Sequence, residues 1–326
     1  MLINEYNATW RINSVCNFKC SYCILNKNAT DRPIQYVKKM ISVLEEHGNK
    51  WTIIIEGMEP LLCPNIIDIC VQLTGKFNIT VFSNLSISDV VREFADRIDP
   101  GKAKIMASTH IQERERKGNV EEFIENILLL KDKRFRVHTN YVMHPTLFKR
   151  FEADYKYFLT RGIRLMPTGY VGWYKARVYP MSYTLKQKEI ISKYHPGLVS
   201  YPRCYKNIGC AAGQTSIRID ENGVVNRCVS DKSVLGTIQS GFKLYDNPRR
   251  CRKYMCQCDG HELVHKKNAL QKKSIFKIWH LILAKKRGRY EIVWRPIVRK
   301  TVAILGYAIR DSRYNFVRRL YGKHTR

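Results

Sequence analysis

The sequence predicts an α/β fold: a partial (β/α)6 TIM-like barrel, then a small C-terminal cysteine-rich extension and a basic α-helical tail. Three observations predict it. Six short segments rich in Val, Ile, Phe and Thr recur through the first half. Longer stretches of helical period separate them. Turn and cap residues fall at the joins, the pattern of repeated β–α units in a parallel sheet.

The elements follow in order. The predicted strands are Ala8–Ser14, Trp51–Glu56, Asn78–Ser83, Lys104–Thr109, Phe135–Met143 and Ile163–Thr168. Their apolar content suits buried parallel strands. Pro33 opens the first helix, because its missing N–H costs nothing in a first turn. Ile34, Val37, Met40, Ile41 and Leu44 continue it at helical spacing, and Gly48 stops it. Asn65–Leu73, Ser88–Ile98, Asn119–Lys133 and Thr146–Arg161 read likewise. These segments form a first domain over 1–170. Residues 171–203 read as a linker, 204–262 as a second, cysteine-rich domain, and 263–326 as a basic amphipathic tail.

Bulk composition sets limits. The chain has 326 residues, 44% of them hydrophobic, enough for a large core and unlike a disordered chain. Lys and Arg number 57 against 28 acidic residues, a net charge of +29. Such an excess points to a polyanionic partner: nucleic acid, an anionic membrane or a phosphorylated substrate. Met1 to Thr9 predicts no secretory leader, having neither a basic nor an apolar region. A cytoplasmic location follows, and the eleven cysteines then read as metal or catalytic groups rather than disulfides. No apolar run is long enough to span a bilayer.

Cys16, Cys20 and Cys23 form a C-x3-C-x2-C triad directly after the first strand. Loops after strands carry the sites of such barrels. Three thiolates within eight residues can hold three irons of a [4Fe-4S] cubane, leaving the fourth open to a substrate or cofactor. After the second strand comes Gly57-Met58-Glu59-Pro60. Polar groups end the next strands: Ser83-Asn84, Ser108, His110 and Asn140. Cys63 and Cys70 read as small buried hydrophobes.

The triad, with Tyr22 before its third cysteine, resembles the radical S-adenosylmethionine (radical SAM) superfamily. Gly57-Met58-Glu59-Pro60 is similar to the family's Gly-Gly-Glu-Pro segment, with Met58 in place of its second glycine. The resemblance implies a catalytic [4Fe-4S] cluster on Cys16, Cys20 and Cys23, with SAM on the open iron. Reductive cleavage of SAM would give a 5′-deoxyadenosyl radical that abstracts hydrogen from a substrate. Tyr22, Gly57, Glu59, Ser108 and Asn140 become the SAM-side residues, and flavodoxin or ferredoxin a suitable electron donor.

Cys210, Gly223 and Cys228 are spaced C-x12-G-x4-C. Asp220-Glu221-Asn222-Gly223 reads as a tight turn between Ser216–Ile219 and Val224–Arg227. This segment resembles the SPASM and twitch extensions of radical SAM enzymes. The resemblance implies one auxiliary [4Fe-4S] cluster, with Cys210, Cys228, Cys256 and either Cys251 or Cys258 as ligands. The full SPASM run C-x2-C-x5-C-x3-C is absent. A structural zinc site is the alternative use of these cysteines.

His261-Glu262-Leu263-Val264-His265 matches the zinc-protease pattern literally, but no apolar helix surrounds it and no third ligand follows. It reads as coincidence. From Lys266 to Arg326, 18 Lys and Arg stand against two acidic residues, with Trp279, Tyr290, Trp294, Tyr307, Tyr314, Phe316 and Tyr321 interleaved. A basic amphipathic helix on an anionic membrane suits this composition. Nucleic-acid binding and a solvated cap are the competing readings. The function predicted is a radical SAM enzyme acting on a peptide or protein, or on a sugar, lipid-linked or phosphorylated forms included. RNA modification is an alternative, and a zinc-holding nucleic-acid-binding protein is the alternative from another class.

Overall fold

The computed structural model of the chain describes residues 5–23, 37–48, 50–195 and 206–253. The chain divides into two compact units: 1–202 with 212–247, and 203–211 with 248–326. Cys256, Cys258, the His261–His265 match and the basic tail lie outside the described residues.

The first unit is built on β–α repeats. Strand β1 (Glu5–Arg11) is followed by α1 (Val37–Glu46) and β2 (Lys50–Glu56). Then come α2 (Ile66–Thr74), β3 (Asn78–Ser83), α3 (Ser88–Arg97) and β4 (Ala103–Ser108). Two helices, α4 (Ile111–Lys117) and α5 (Val120–Asp132), precede β5 (Arg136–Met143). Helix α6 (Phe151–Leu159) leads to β6 (Leu165–Gly169). The six strands pair in parallel and in sequence order, β1-β2-β3-β4-β5-β6. This is the parallel sheet of a partial barrel.

Strand residues alternate in burial. Ala8, Trp10, Ile53, Ile55, Ile79, Val81, Ile105, Tyr141 and Leu165 lie in one core with the inward faces of the helices. The other face carries Thr9, Arg11, Glu56, Thr80, Lys104, Met106, Ser108, His138, Asn140, Met166 and Thr168, all only half-buried. Continuous apolar runs would have covered both faces. Here helices cover one, and the other is polar and partly open.

Several elements differ from the sequence expectation. β1 starts at Glu5 and ends at Arg11, because Asn13 and Ser14 leave the ladder to build a loop. The stretch 171–203, read as a linker, holds the hairpin β7 (Gly172–Tyr174) and β8 (Arg177–Tyr179) and the helix α7 (Leu185–Tyr194). α7 starts with a capping box: Gln187 N–H donates to Thr184 Oγ1 at 3.2 Å and Thr184 N–H to Gln187 Oε1 at 2.9 Å.

The second unit contains a short antiparallel ladder. In it β9 (Gly209–Cys210) faces a late strand, Arg249–Arg250, with Cys210 opposite Arg249. The hairpin expected in the cysteine-rich extension belongs instead to the first unit. β10 (Ser216–Ile219) lies parallel to β1, Asn7 opposite Ser216, and pairs antiparallel with β11 (Val224–Asn226). β12 (Val234–Thr237) and β13 (Gly241–Phe242) continue the sheet to ten strands. The Arg249–Arg250 strand is β14. The physical reason is the open edge of β1, whose free N–H and C=O groups the hairpin satisfies. Gly223 closes the turn at φ +78°, where a side chain would be strained.

Candidate active site

The C-terminal ends of β1 to β5 interlock around the cysteine triad. Glu59 is the hub. It is 1% exposed, and its carboxylate accepts from Ser83 Oγ at 2.6 Å, Asn84 N–H at 2.6 Å and Leu61 N–H at 3.0 Å. Burial pushes its pKa up, and these three donors oppose that. Its own N–H donates to Val15 O at 2.9 Å. The Glu59 side chain therefore ties the β2 loop to the end of β3.

Asn13 locks the same loop to β1. It is fully buried, and Nδ2 donates to Glu59 O at 2.7 Å. Gly57 is required at this crossing: a Cβ there would lie 2.5 Å from Asn13 Oδ1 and 3.2 Å from Asn13 O. Asn13 Oδ1 is buried without a protein partner. Asn17, inside the triad, donates from Nδ2 to Ser86 Oγ at 2.8 Å and accepts from Asn84 Nδ2 at 3.0 Å.

Cys16, Cys20 and Cys23 all lie on this loop, Cys16 and Cys20 half-buried and Cys23 exposed. Cys23 N–H donates to Cys20 O at 3.1 Å, closing a turn. Phe18 N–H donates to Cys16 Sγ at 3.3 Å. Burial pushes the Cys16 thiol up, the Phe18 N–H acts against that, and Glu59 and Cys23 add to the rise. Backbone donors of this kind stabilise a thiolate ligand. Three cysteines on one loop, one already accepting a backbone N–H, fit the three-cysteine end of a [4Fe-4S] cluster. No three His, Cys, Asp or Glu side chains among the described residues converge closely enough to hold a single ion.

Tyr22 packs away from solvent, its hydroxyl 3.1 Å from His110 Nδ1 and its ring stacked on His144 at 5.5 Å. Burial raises its pKa, with Cys20 contributing next. His110 is held neutral, pushed down to about 4 by burial and then by Arg114. Ser108, the last residue of β4, and Asn140, within β5, are register partners, both on the half-open face. Their backbone carbonyls are spoken for, Ser108 O by Arg114 at 3.3 Å and Asn140 O by Thr109 N–H at 2.9 Å.

Arg114 is wholly buried and bridges the strand ends. Nε donates to Thr109 O at 2.6 Å, and Nη2 also reaches Asn84 O. Its guanidinium lies 3.6 Å from the Phe123 ring centre and 5.2 Å from that of Phe18. Nη1 has no protein partner. Burial lowers its pKa to about 9, against the pull of Glu59. In sequence the run Ile111–Lys117, six of its seven residues polar, carries no signal that would single out Glu113 or Arg114. Asn13 was legible only as one more polar residue at a strand end.

The remaining cysteines differ. Cys70 is fully buried, and burial raises its pKa strongly, as suits a core residue. Cys228, in the first unit, accepts Asp231 N–H on Sγ at 3.1 Å, the same device as at Cys16. Within the second unit Cys251 N–H donates to Ile208 O at 2.8 Å, next to the Cys210 strand.

Residues 10–157 match the family model described as Radical SAM superfamily. No curated protein matches the chain. Among solved structures, Streptococcus suis SuiB bound to S-adenosylmethionine aligns at 14% identity and TM-score 0.54, over 72% of this chain and 64% of SuiB. The chain thus spans less than two thirds of SuiB's length. SuiB bound to precursor peptide SuiA aligns at 16% identity and TM-score 0.51, over 69% of this chain and 60% of that one. Native anSMEcpe with bound AdoMet and Cp18Cys peptide aligns at 16% identity and TM-score 0.55, over 86% and 98%. At these identities the likeness is one of fold.

Proposed function

We propose that the chain is a radical SAM enzyme acting on a peptide or protein. The observation that carries this is the interlock of the cysteine turn with the Gly57–Pro60 loop through Asn13 and Glu59. The Radical SAM match over residues 10–157 and the SAM-bound structures of like fold support the chemistry. When bound, a [4Fe-4S] cluster and SAM would supply one-electron reductive chemistry leading to hydrogen abstraction from the substrate.

The chain's own residues prepare that site. Cys16, Cys20 and Cys23 would hold the cluster. Gly57 and the Glu59 backbone shape the pocket for the SAM methionyl end, and Ser108 and Asn140 offer hydrogen bonds beyond it. The packed Tyr22, His110 and His144 rings exclude water beside the cysteine turn. The peptide assignment draws on the peptide complexes of SuiB and anSMEcpe and on the broad polar strand face.

An auxiliary cluster is part of the proposal, carried by the C-x12-G-x4-C spacing and by the N–H donor on the Cys228 sulfur. A flavodoxin or ferredoxin would supply electrons. The basic stretch 266–326 is proposed to contact an anionic membrane peripherally. Among the described residues no helix is long and apolar enough to cross one.

Anaerobic reconstitution tests the reading. Roughly eight irons per chain, with 5′-deoxyadenosine released on adding dithionite and SAM, is the expected result. About four irons would remove the auxiliary cluster. Colourless, zinc-loaded protein would overturn the radical reading in favour of a zinc-binding one. For the tail, equal pelleting with anionic liposomes after deletion of 266–326 would overturn the membrane contact.

A further inference from the structure

Both segments between the triad's cysteines are held by one short element that the sequence did not reveal. Lys19, between Cys16 and Cys20, donates its N–H to Glu113 Oε1 at 2.9 Å. Phe18 lies 5.2 Å from the Arg114 guanidinium, with Lys117 Nζ at 5.8 Å. Tyr22, between Cys20 and Cys23, has its hydroxyl 3.1 Å from His110 Nδ1. His110, Glu113, Arg114 and Lys117 all belong to α4 or its N-cap.

α4 is itself fixed. Arg114 ties it to Asn84, Ser108 and Thr109, the ends of β3 and β4. Glu113 is 6% exposed and is clamped by Arg116, Nη2 to Oε1 at 2.6 Å and Nε to Oε2 at 3.0 Å. The carboxylate cannot swing away, so it dictates where the loop backbone lies.

A carboxylate here needs explaining. It stands against the backbone of the cysteine turn, where its charge would oppose an anionic cluster. A neutral acceptor would avoid that repulsion. What the charged group adds is a strong hydrogen bond to a backbone N–H, held by a bidentate guanidinium.

We infer that α4 is the positioning element of the cysteine turn, and that Glu113, through Lys19 N–H, sets the spacing of Cys16 and Cys20 for cluster retention. The inference rests on the reading of the triad as a cluster site. Glu113 touches no reacting atom and is a positioning residue, not a catalytic one.

The test uses the full-length chain, reconstituted anaerobically as wild type, Glu113→Ala, Glu113→Gln and Tyr22→Phe. Iron release to a chelator is followed together with the EPR signal that SAM perturbs. Circular dichroism melting checks the fold. Glu113→Ala should lose the SAM-responsive signal about tenfold faster than wild type, the worth of one charge-assisted hydrogen bond. Glu113→Gln keeps a neutral acceptor for Lys19 N–H without the charge and should fall between wild type and Glu113→Ala. Tyr22→Phe, which removes only the hydroxyl facing His110, should raise the loss rate about threefold.

Wild-type retention in Glu113→Ala would overturn the inference while leaving the cluster standing. Equal loss in the Ala and Gln variants would overturn the hydrogen-bond role. Should Glu113→Ala not fold, unchanged retention in Tyr22→Phe overturns the role of α4. A wild-type chain that takes up no iron and sulfide would refute the cluster reading itself, a separate outcome.

Discussion

Gly57→Ala is the sharpest perturbation of the site. A Cβ at 57 lies 2.5 Å from Asn13 Oδ1, 3.2 Å from Asn13 O and 3.3 Å from Asn13 N. Real carbon–oxygen contacts do not reach 2.5 Å, so something must move. The Asn13 side chain is fully buried and pinned by its 2.7 Å bond to Glu59 O. Turning it away breaks that bond and leaves a buried carbonyl short of a donor, about 1–3 kcal/mol. The two backbone contacts stay tight, so overpacking adds a cost of about 1–3 kcal/mol. A loss of about 2–6 kcal/mol is expected, read as a shift in the urea midpoint at constant slope. Asn13→Ala alone loses the same hydrogen bond. The double variant Asn13→Ala/Gly57→Ala should therefore be more stable than the sum of the singles implies, a coupling of about 1 kcal/mol or more. A Gly57→Ala protein within about 0.5 kcal/mol of wild type, with strict additivity in the cycle, would refute the clash argument.

Glu59→Gln puts an amide NH2 against donors at Ser83, Asn84 and Leu61, leaving at least one buried N–H unpaired. A loss of about 2 kcal/mol in urea unfolding is expected, and an unchanged midpoint contradicts the hub role. Ser108→Ala and Asn140→Ala should each weaken SAM binding about fivefold in calorimetry of the reconstituted protein, with iron content unchanged; unchanged affinity in both would remove them from the SAM site. His110 has its pKa lowered from 6.5 to about 4, first by burial and then by Arg114. The unfolded chain binds this proton and the folded chain resists it, so stability is lost as pH falls from 6.5 to about 4. The wild-type Tm should drop more steeply over that window than that of His110→Gln, and parallel curves would contradict it.

Much of the frame was legible in sequence. The strand Asn78–Ser83 was placed to the residue, and the other five fell within a few residues of their predicted ends. Strands read well because the core face of a parallel sheet demands apolar residues at alternate positions, and Ile53, Ile55, Val81 and Ile105 supply them. Helix α7 could have been found, since Thr184-x-x-Gln187 is a capping-box pattern. Helix α4 could not. Seven residues, six of them polar, carry too few apolar positions to show a period.

By itself the sequence determined the chemistry on offer: three cysteines on one turn, a Gly-x-Glu-Pro loop after the next strand, and polar residues where later strands end. Covalent spacing along the chain fixes those relations. Tertiary structure decided the rest. It turned the Glu59 carboxylate inward as a staple, set Gly57 against Asn13, buried Arg114 across three strand-end carbonyls, and laid the β10–β11 hairpin beside β1. Each of these depends on at least one contact between residues two dozen to two hundred positions apart. Backbone groups must find partners wherever the fold brings them, and no local pattern records which partner a loop amide such as Lys19 N–H will meet.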